Sequence, residues 1–290
     1  MVNKGEIKAM IRLLDDPDDS IYSEVKSRLI RFGPDVMPEL ESSWNSSSMD
    51  LLMQERIEEI MFEIHHQGIY EQLRQWKNTI GHPLLEASLI LARFEYPHLD
   101  DQEVRNQMER IRRDVWLEFN DHLTALEQIK VINHILFDVH GFAPNRQDYH
   151  APQNSYLNEV LDVRKGNPLT IGLIYLYVTQ GLTLPVYGVN LPNHFVLCYC
   201  DNSIDADTNN PGSNVLFYIN PFSKGTVFNH LEIEHFLNQY NLPHDPEFFA
   251  PCTHLHIIKR AVRNLINSYQ KNGRISKIQP LKEMLKILEE

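Results

Sequence analysis

One stretch limits the fold more than any other. From Asn167 to Gly181 the chain reads NPLTIGLIYLYVTQG. Asparagine followed by proline is a strong helix start: the amide caps the first turn, and proline at the first helical position lacks only an N–H that would have no partner there anyway. The helix that follows, Leu169 to Thr179, is apolar nearly all round (Leu169, Ile171, Leu173, Ile174, Tyr175, Leu176, Val178). A helix without a polar face has to be enclosed on every side. The stretch is far short of the ~18 apolar residues that a membrane span requires, so other parts of this chain are expected to cover it.

The covering elements can be read on both sides. Upstream, apolar residues recur at helical spacing in Glu6–Leu14, in a second helix that Ser20 can cap, and in Val36–Trp44. Asp15-Asp16-Pro17 and Gly33-Pro34 act as stops. This run resembles a HEAT-type repeat, and an ordinary helical hairpin is the alternative. A polar break at Asn45–Ser48 precedes a helix through Leu52–Ile64. Further helices follow at Leu84–Phe94, at Val104–Val115 and from Leu123 to Val139, where Gly141 supplies a left-handed stop. Phe142–Pro152 reads as a loop, and Asn154 or Ser155 as the cap of a short helix ending at Gly166.

Downstream, Pro185–Leu191, Phe195–Cys200 and Val215–Ile219 are rich in Val, Tyr, Phe and Leu and are separated by turn residues, so they read as strands. Glu232–Tyr240, His256–Tyr269 and Ile278–Leu288 return to helical spacing. The expected class is α+β, with a central helix packed on an antiparallel sheet and helical flanks. Domain limits are expected at 1–80 (helical), 81–250 (the α+β core) and 251–290 (a helical extension).

Composition excludes several functions. The net charge is −12, with 27 Lys and Arg against 39 Asp and Glu. Nucleic-acid binding gains most of its free energy from cationic side chains releasing phosphate counterions, so this balance argues against it. Cys198, Cys200 and Cys252 are too few and too irregularly spaced for a disulfide framework or a zinc motif. No leader-like apolar segment opens the chain. The expectation is a soluble cytoplasmic protein with no membrane role and no cofactor.

Chemistry points to two places. Arg164-Lys165-Gly166-Asn167-Pro168-Leu169-Thr170 opens the central helix, whose N-terminus carries partial positive charge and suits a thiolate or a bound anion. Leu191-Pro192-Asn193-His194-Phe195 opens a strand, and Tyr218-Ile219-Asn220-Pro221-Phe222 closes the next. A nucleophile at a helix start, a histidine base and an orienting Asp or Asn, in that order, form the papain and transglutaminase arrangement.

The ordered set FAPNRQDYHAPQNSYLNEVLDVRKGNPLTIGLIYLYVTQGL, VNLPNHFVLCY and YINPF resembles the SirB1-type transglutaminase-like family, which is itself similar to a domain of an F-box protein. The tail from Arg260 onward is similar to that family's helical C-terminal extension, which leads into a TPR-like hairpin. The resemblance implies a papain-like α+β core, with His194 at the family's histidine position and Asn220 where transglutaminases carry Asp.

The chain departs from the family at the nucleophile. No cysteine lies between Asn167 and Gly172, and Thr170 offers the only hydroxyl there. A thiol titrates within a few units of neutral pH, whereas a threonine hydroxyl needs a strong and well-placed base. Cys198 and Cys200 share a strand face with His194 by alternation, but a residue four positions along the same strand lies ~13 Å away by strand rise, too far to pair with His194.

The expected site is therefore degenerate: His194, Asn220 and Thr170 at the old catalytic positions, with Asn167 and Arg164 lining a binding cleft. Two functions follow. One is a non-catalytic protein that binds a protein or peptide through the cleft and the helical flanks. The other is a hydrolase or acyltransferase that keeps histidine-based chemistry. Adjacent His65 and His66 diverge on their helix, His254 and His256 would share a face only in extended chain, and His230 and His235 lack acidic or thiol partners at motif spacing, so no metal is expected. No Gly-rich phosphate loop, GxSxG or HExxH occurs.

Overall fold

The computed structural model describes residues 3–45, 50–120, 122–201 and 212–290. The Asn45–Ser48 break beyond Asn45, and most of the turn between the second and third expected strands, lie outside the described residues. The chain divides into two compact units, Met1–Arg74 and Gln75–Glu290.

The first unit is helical: α1 (Lys4–Arg12), α2 (Asp19–Phe32), α3 (Met37–Trp44) and most of α4 (Leu51–Lys77). The stripe Ile7, Met10, Ile11 and Leu14 meets Val25, Leu29, Leu40, Ile57 and Ile60 in one core. The cap of α2 is Asp18, not Ser20. The Asp18 carboxylate accepts the Ser20 N–H at 2.8 Å, because the aspartate sits one turn position earlier and a carboxylate is the stronger acceptor. Arg56, nearly buried, donates to the carbonyls of Leu14 and Asp16 at 2.7 and 2.8 Å. It thereby satisfies the chain where α1 ends.

The second unit begins with α5 (Leu84–Glu95), α6 (Asp101–Leu117) and α7 (Ala125–Asn133). Thr124 and Glu127 form a reciprocal capping box on α7. Its last turn, His134–Val139, widens to π geometry before Gly141 turns the chain with φ 72°. The expected loop at Phe142–Pro152 contains a two-residue strand, β1 (Ala143–Pro144), paired in parallel with β2 (Lys165–Gly166). Between them lies α8 (Leu157–Val163), which no side chain caps. Asn154 and Ser155 are occupied elsewhere: the Asn154 amide donates to the carbonyls of Asp148 and Tyr149, and Ser155 accepts from Asn167.

The central helix α9 (Pro168–Gly181) is buried along nearly its whole length. It lies against an antiparallel sheet in the order β3 (Val186–Leu191), β4 (His194–Cys200), β5 (Val215–Asn220) and β6 (Thr226–Phe228). The Pro192-Asn193 turn joins β3 to β4, with Asn193 at φ 55°, a position that asparagine tolerates better than most residues. Then follow α10 (His230–Gln239), α11 (His254–Lys271) and α12 (Ile278–Glu289). This is the expected α+β plan.

The sheet is covered on both faces, and strand alternation assigns each residue to one of them. Phe195 and Leu197 of β4 point to α9. A Cβ on Gly172 would lie 2.7 Å from the Phe195 ring and 3.7 Å from Leu197. Phe195 also approaches Gly188, where Ile257 brings in α11. Val196, Cys198 and Cys200 point the other way and pack with Ile233 and Leu237 of α10.

Candidate functional site

At the start of α9 the sequence dictates the local structure directly. The Asn167 Oδ1 accepts the Thr170 N–H at 2.9 Å and the Thr170 hydroxyl at 3.2 Å, while its Nδ2 donates to the Ser155 hydroxyl at 2.9 Å. Thr170 has no exposed surface. Both groups are thus spent on closing the helix terminus, as expected of polar side chains at a buried cap.

His194 opens β4 and, by alternation, falls on the face opposite to Phe195. Its ring lies 6.2 Å from that of Phe236 on α10. Burial, and then the charge of Arg260, hold its imidazole below the ordinary histidine pKa. Among the described residues its imidazole has no hydrogen-bond partner. Asn220 shares this face on the diagonal of the next strand, but its Oδ1 accepts the Phe222 N–H at 3.0 Å and caps the turn that follows β5. The sheet therefore separates His194 and Asn220 from Thr170 and Asn167.

Arg164 lies in neither place. It ends α8 in the left-handed conformation (φ 58°) and sets its guanidinium 5.0 Å from the Phe142 ring centroid. It borders a separate polar depression of about 470 Å³ with His140 and Asp162. Cys198 and Cys200 are buried on the α10 side, their sulfurs 3.9 Å apart, and burial drives the Cys198 thiol well above its usual pKa. Burial also pushes Cys252 up to about 12. Neither Cys198 nor Cys252 is an activated thiolate. Among the described residues no three metal-type side chains come together.

A cleft of about 770 Å³ opens beside the start of α9. One wall is Asn167-Pro168-Leu169 with Asn193 and Phe195, and another is the loop tip Tyr149-His150. The third is α11, which presents Arg260, Asn264, Asn267 and Lys271 at i, i+4, i+7 and i+11, one continuous helical stripe. Arg260 donates to the Asn190 side chain and, at 2.6 Å, to the Leu191 carbonyl. Lys271 donates to the His150 imidazole at 2.8 Å. No motif marks this stripe in the sequence. Its signal is the polar spacing itself, on the side of α11 opposite Ile258, Val262, Leu265 and Tyr269.

A central helix on an antiparallel sheet, with this cleft at the helix start, defines a transglutaminase-like domain. Residues 102–263 match the model of the Transglutaminase-like superfamily, and the chain belongs to that superfamily. It is 29% identical over 204 residues to a UPF0162 protein of Xylella fastidiosa, covering 66% of each chain. It is 33% identical over 100 residues to a UPF0162 protein of Pasteurella multocida, which is 34% of this chain and 38% of the relative. It is also 29% identical over 160 residues to F-box only protein 21 of Mus musculus, which is 54% of this chain and 24% of that protein. The chain thus spans just under two thirds of the length of the Xylella relative. No solved structure matches.

Proposed function

We propose that this chain is a non-catalytic transglutaminase-like protein of the SirB1 type, which binds a protein or peptide partner through the cleft beside α9 and through its helical flanks. One observation carries the reading. The start of α9 holds Asn167-Pro168-Leu169-Thr170 in place of a thiol, and Asn167 and Thr170 are consumed by the cap. A cleft at a helix start without a nucleophile retains recognition and loses group transfer. The alternative, a hydrolase or acyltransferase using His194, Asn220 and Thr170, needs a nucleophile within hydrogen-bond reach of the base. His194 packs on Phe236 and has none at that reach among the described residues. We further propose that the tail from 251 to 290 acts as a TPR-like hairpin beside the 81–250 core, with a HEAT-like region at 1–80. The free cysteines support a reducing, cytoplasmic setting.

The test is gain of function. Wild type and Thr170→Cys would be assayed for amine incorporation into glutamine peptides, for amide hydrolysis and for thiol alkylation. Neither protein is expected to turn over, and the new thiol should alkylate only on unfolding. Turnover by wild type that is lost in His194→Ala would replace the binding reading with the enzymatic one.

A further inference from the structure

The cleft contains an electrostatic anomaly. The chain is strongly acidic, yet no Asp or Glu lines this cleft among the described residues, while Arg260, Arg263 and Lys271 all do. Arg263 is paired with Glu289 at 2.7 Å. Arg260 and Lys271 are not paired with any carboxylate among the described residues. Arg260 is largely enclosed, its bonds go to neutral oxygens, and burial pushes its pKa down. Lys271, which is exposed, donates to the His150 ring and not to a carboxylate. A desolvated cation without a counter-charge is costly, and an incoming anion relieves that cost.

We propose that the cleft takes an extended acidic peptide with two carboxylates four residues apart, one on Arg260 and one on Lys271. This deepens the partner-binding reading and rests on it. The spacing follows from geometry. Eleven residues of α11 separate the two cations, a rise of ~16 Å. Four residues of extended chain cover ~13 Å and return both side chains to the same face, and the long cationic side chains close the difference. Between the two ends, Asn264 and Asn267 offer donor and acceptor groups to the peptide backbone. A free phosphate would occupy one end only, and a nucleic acid would bring a continuous polyanion toward a protein of net charge −12.

The test uses the full chain and the peptide acetyl-Glu-Thr-Val-Thr-Glu-amide, with its Gln-for-Glu counterpart as control, followed by calorimetry. The diacid is expected to bind at least about tenfold more tightly than the diamide. Lys271→Gln should weaken the diacid by several-fold, leaving the part of the preference that Arg260 supplies, without moving the diamide. Asn267→Asp, which adds a carboxylate on the exposed stripe, should weaken the diacid alone. These variants spare Arg260, whose loss could unfold the β3 end. Equal affinities for the two peptides, or no binding by either, overturn the proposal. So does displacement of the diacid by inorganic phosphate or oligothymidylate at equal or lower concentration. Mass spectrometry of the recovered peptides separates the two readings: a peptide changed in mass refutes the non-catalytic function while leaving the acid preference intact.

Discussion

Asn167 illustrates how a single amide fixes the chemistry available at a helix start. Its oxygen holds the Thr170 N–H and hydroxyl, its nitrogen holds Ser155, and so the position that would activate a nucleophile stabilises a cap instead. His194 is more informative when titrated. Burial and Arg260 lower its pKa below the ordinary 6.5, so between the two values the unfolded chain binds a proton that the folded chain resists. The stability contributed by neutral His194 is full above pH 6.5 and is lost as pH falls through the folded pKa. Urea midpoints measured at pH 8 and pH 5 should therefore drop further in wild type than in His194→Gln. Equal drops would mean that His194 is free to take a proton in the fold. Both residues stood out in the sequence because asparagine-proline and Leu-Pro-x-His-Phe are local patterns. The side of the sheet that His194 occupies did not. Alternation divides β4 into two sets, but each set is apolar beyond His194, since helices cover both faces, and composition cannot tell which set meets α9.

At the scale of elements, the contact between α9 and β4 depends on a residue that is unfavourable in isolation. Glycine in a helix interior costs about 1 kcal/mol relative to alanine, yet Gly172 sits mid-helix where the Phe195 ring approaches most closely. Its φ is not in the left-handed region, so the constraint is space and not backbone conformation. Gly172→Ala should destabilise by about 1–3 kcal/mol despite the gain in helix propensity, read from urea unfolding. Phe195→Leu in the same background should recover part of that loss by shortening the ring side. If Gly172→Ala were stabilising, α9 would have room to move away from the sheet. The central helix, three strands and most other helices were legible because each spans several turns or alternations. β1, β2 and β6 were not, since two or three residues carry no period. The π turn at His134–Val139 was also hidden, because it preserves the apolar stripe and changes only the hydrogen-bond register.

Across the whole molecule, charge is distributed unevenly. The first unit carries 15 acidic and 8 basic side chains, a net −7 of the total −12, and the cleft lies in the other unit with no lining carboxylate among the described residues. The sequence conveyed the total charge and the acidic start, but not the cationic stripe, because its members are separated by apolar residues that face the core. An acidic ligand therefore meets two opposing fields: repulsion from the molecule as a whole at long range, and attraction at Arg260 and Lys271 at contact. Salt acts differently on the two. The screening length falls from about 30 Å at 0.01 M to about 8 Å at 0.15 M, which removes most of the long-range repulsion, weakens the exposed contact at Lys271 in part and leaves the enclosed contact at Arg260 less affected. Affinity for the diacid peptide should accordingly change by less than about threefold over that range, whereas a basic binding module loses affinity steeply as counterion release weakens. Calorimetric titrations at 10, 50 and 150 mM salt measure this directly. A monotonic tenfold loss would mean that exposed cations dominate the binding and that the enclosed Arg260 contributes little.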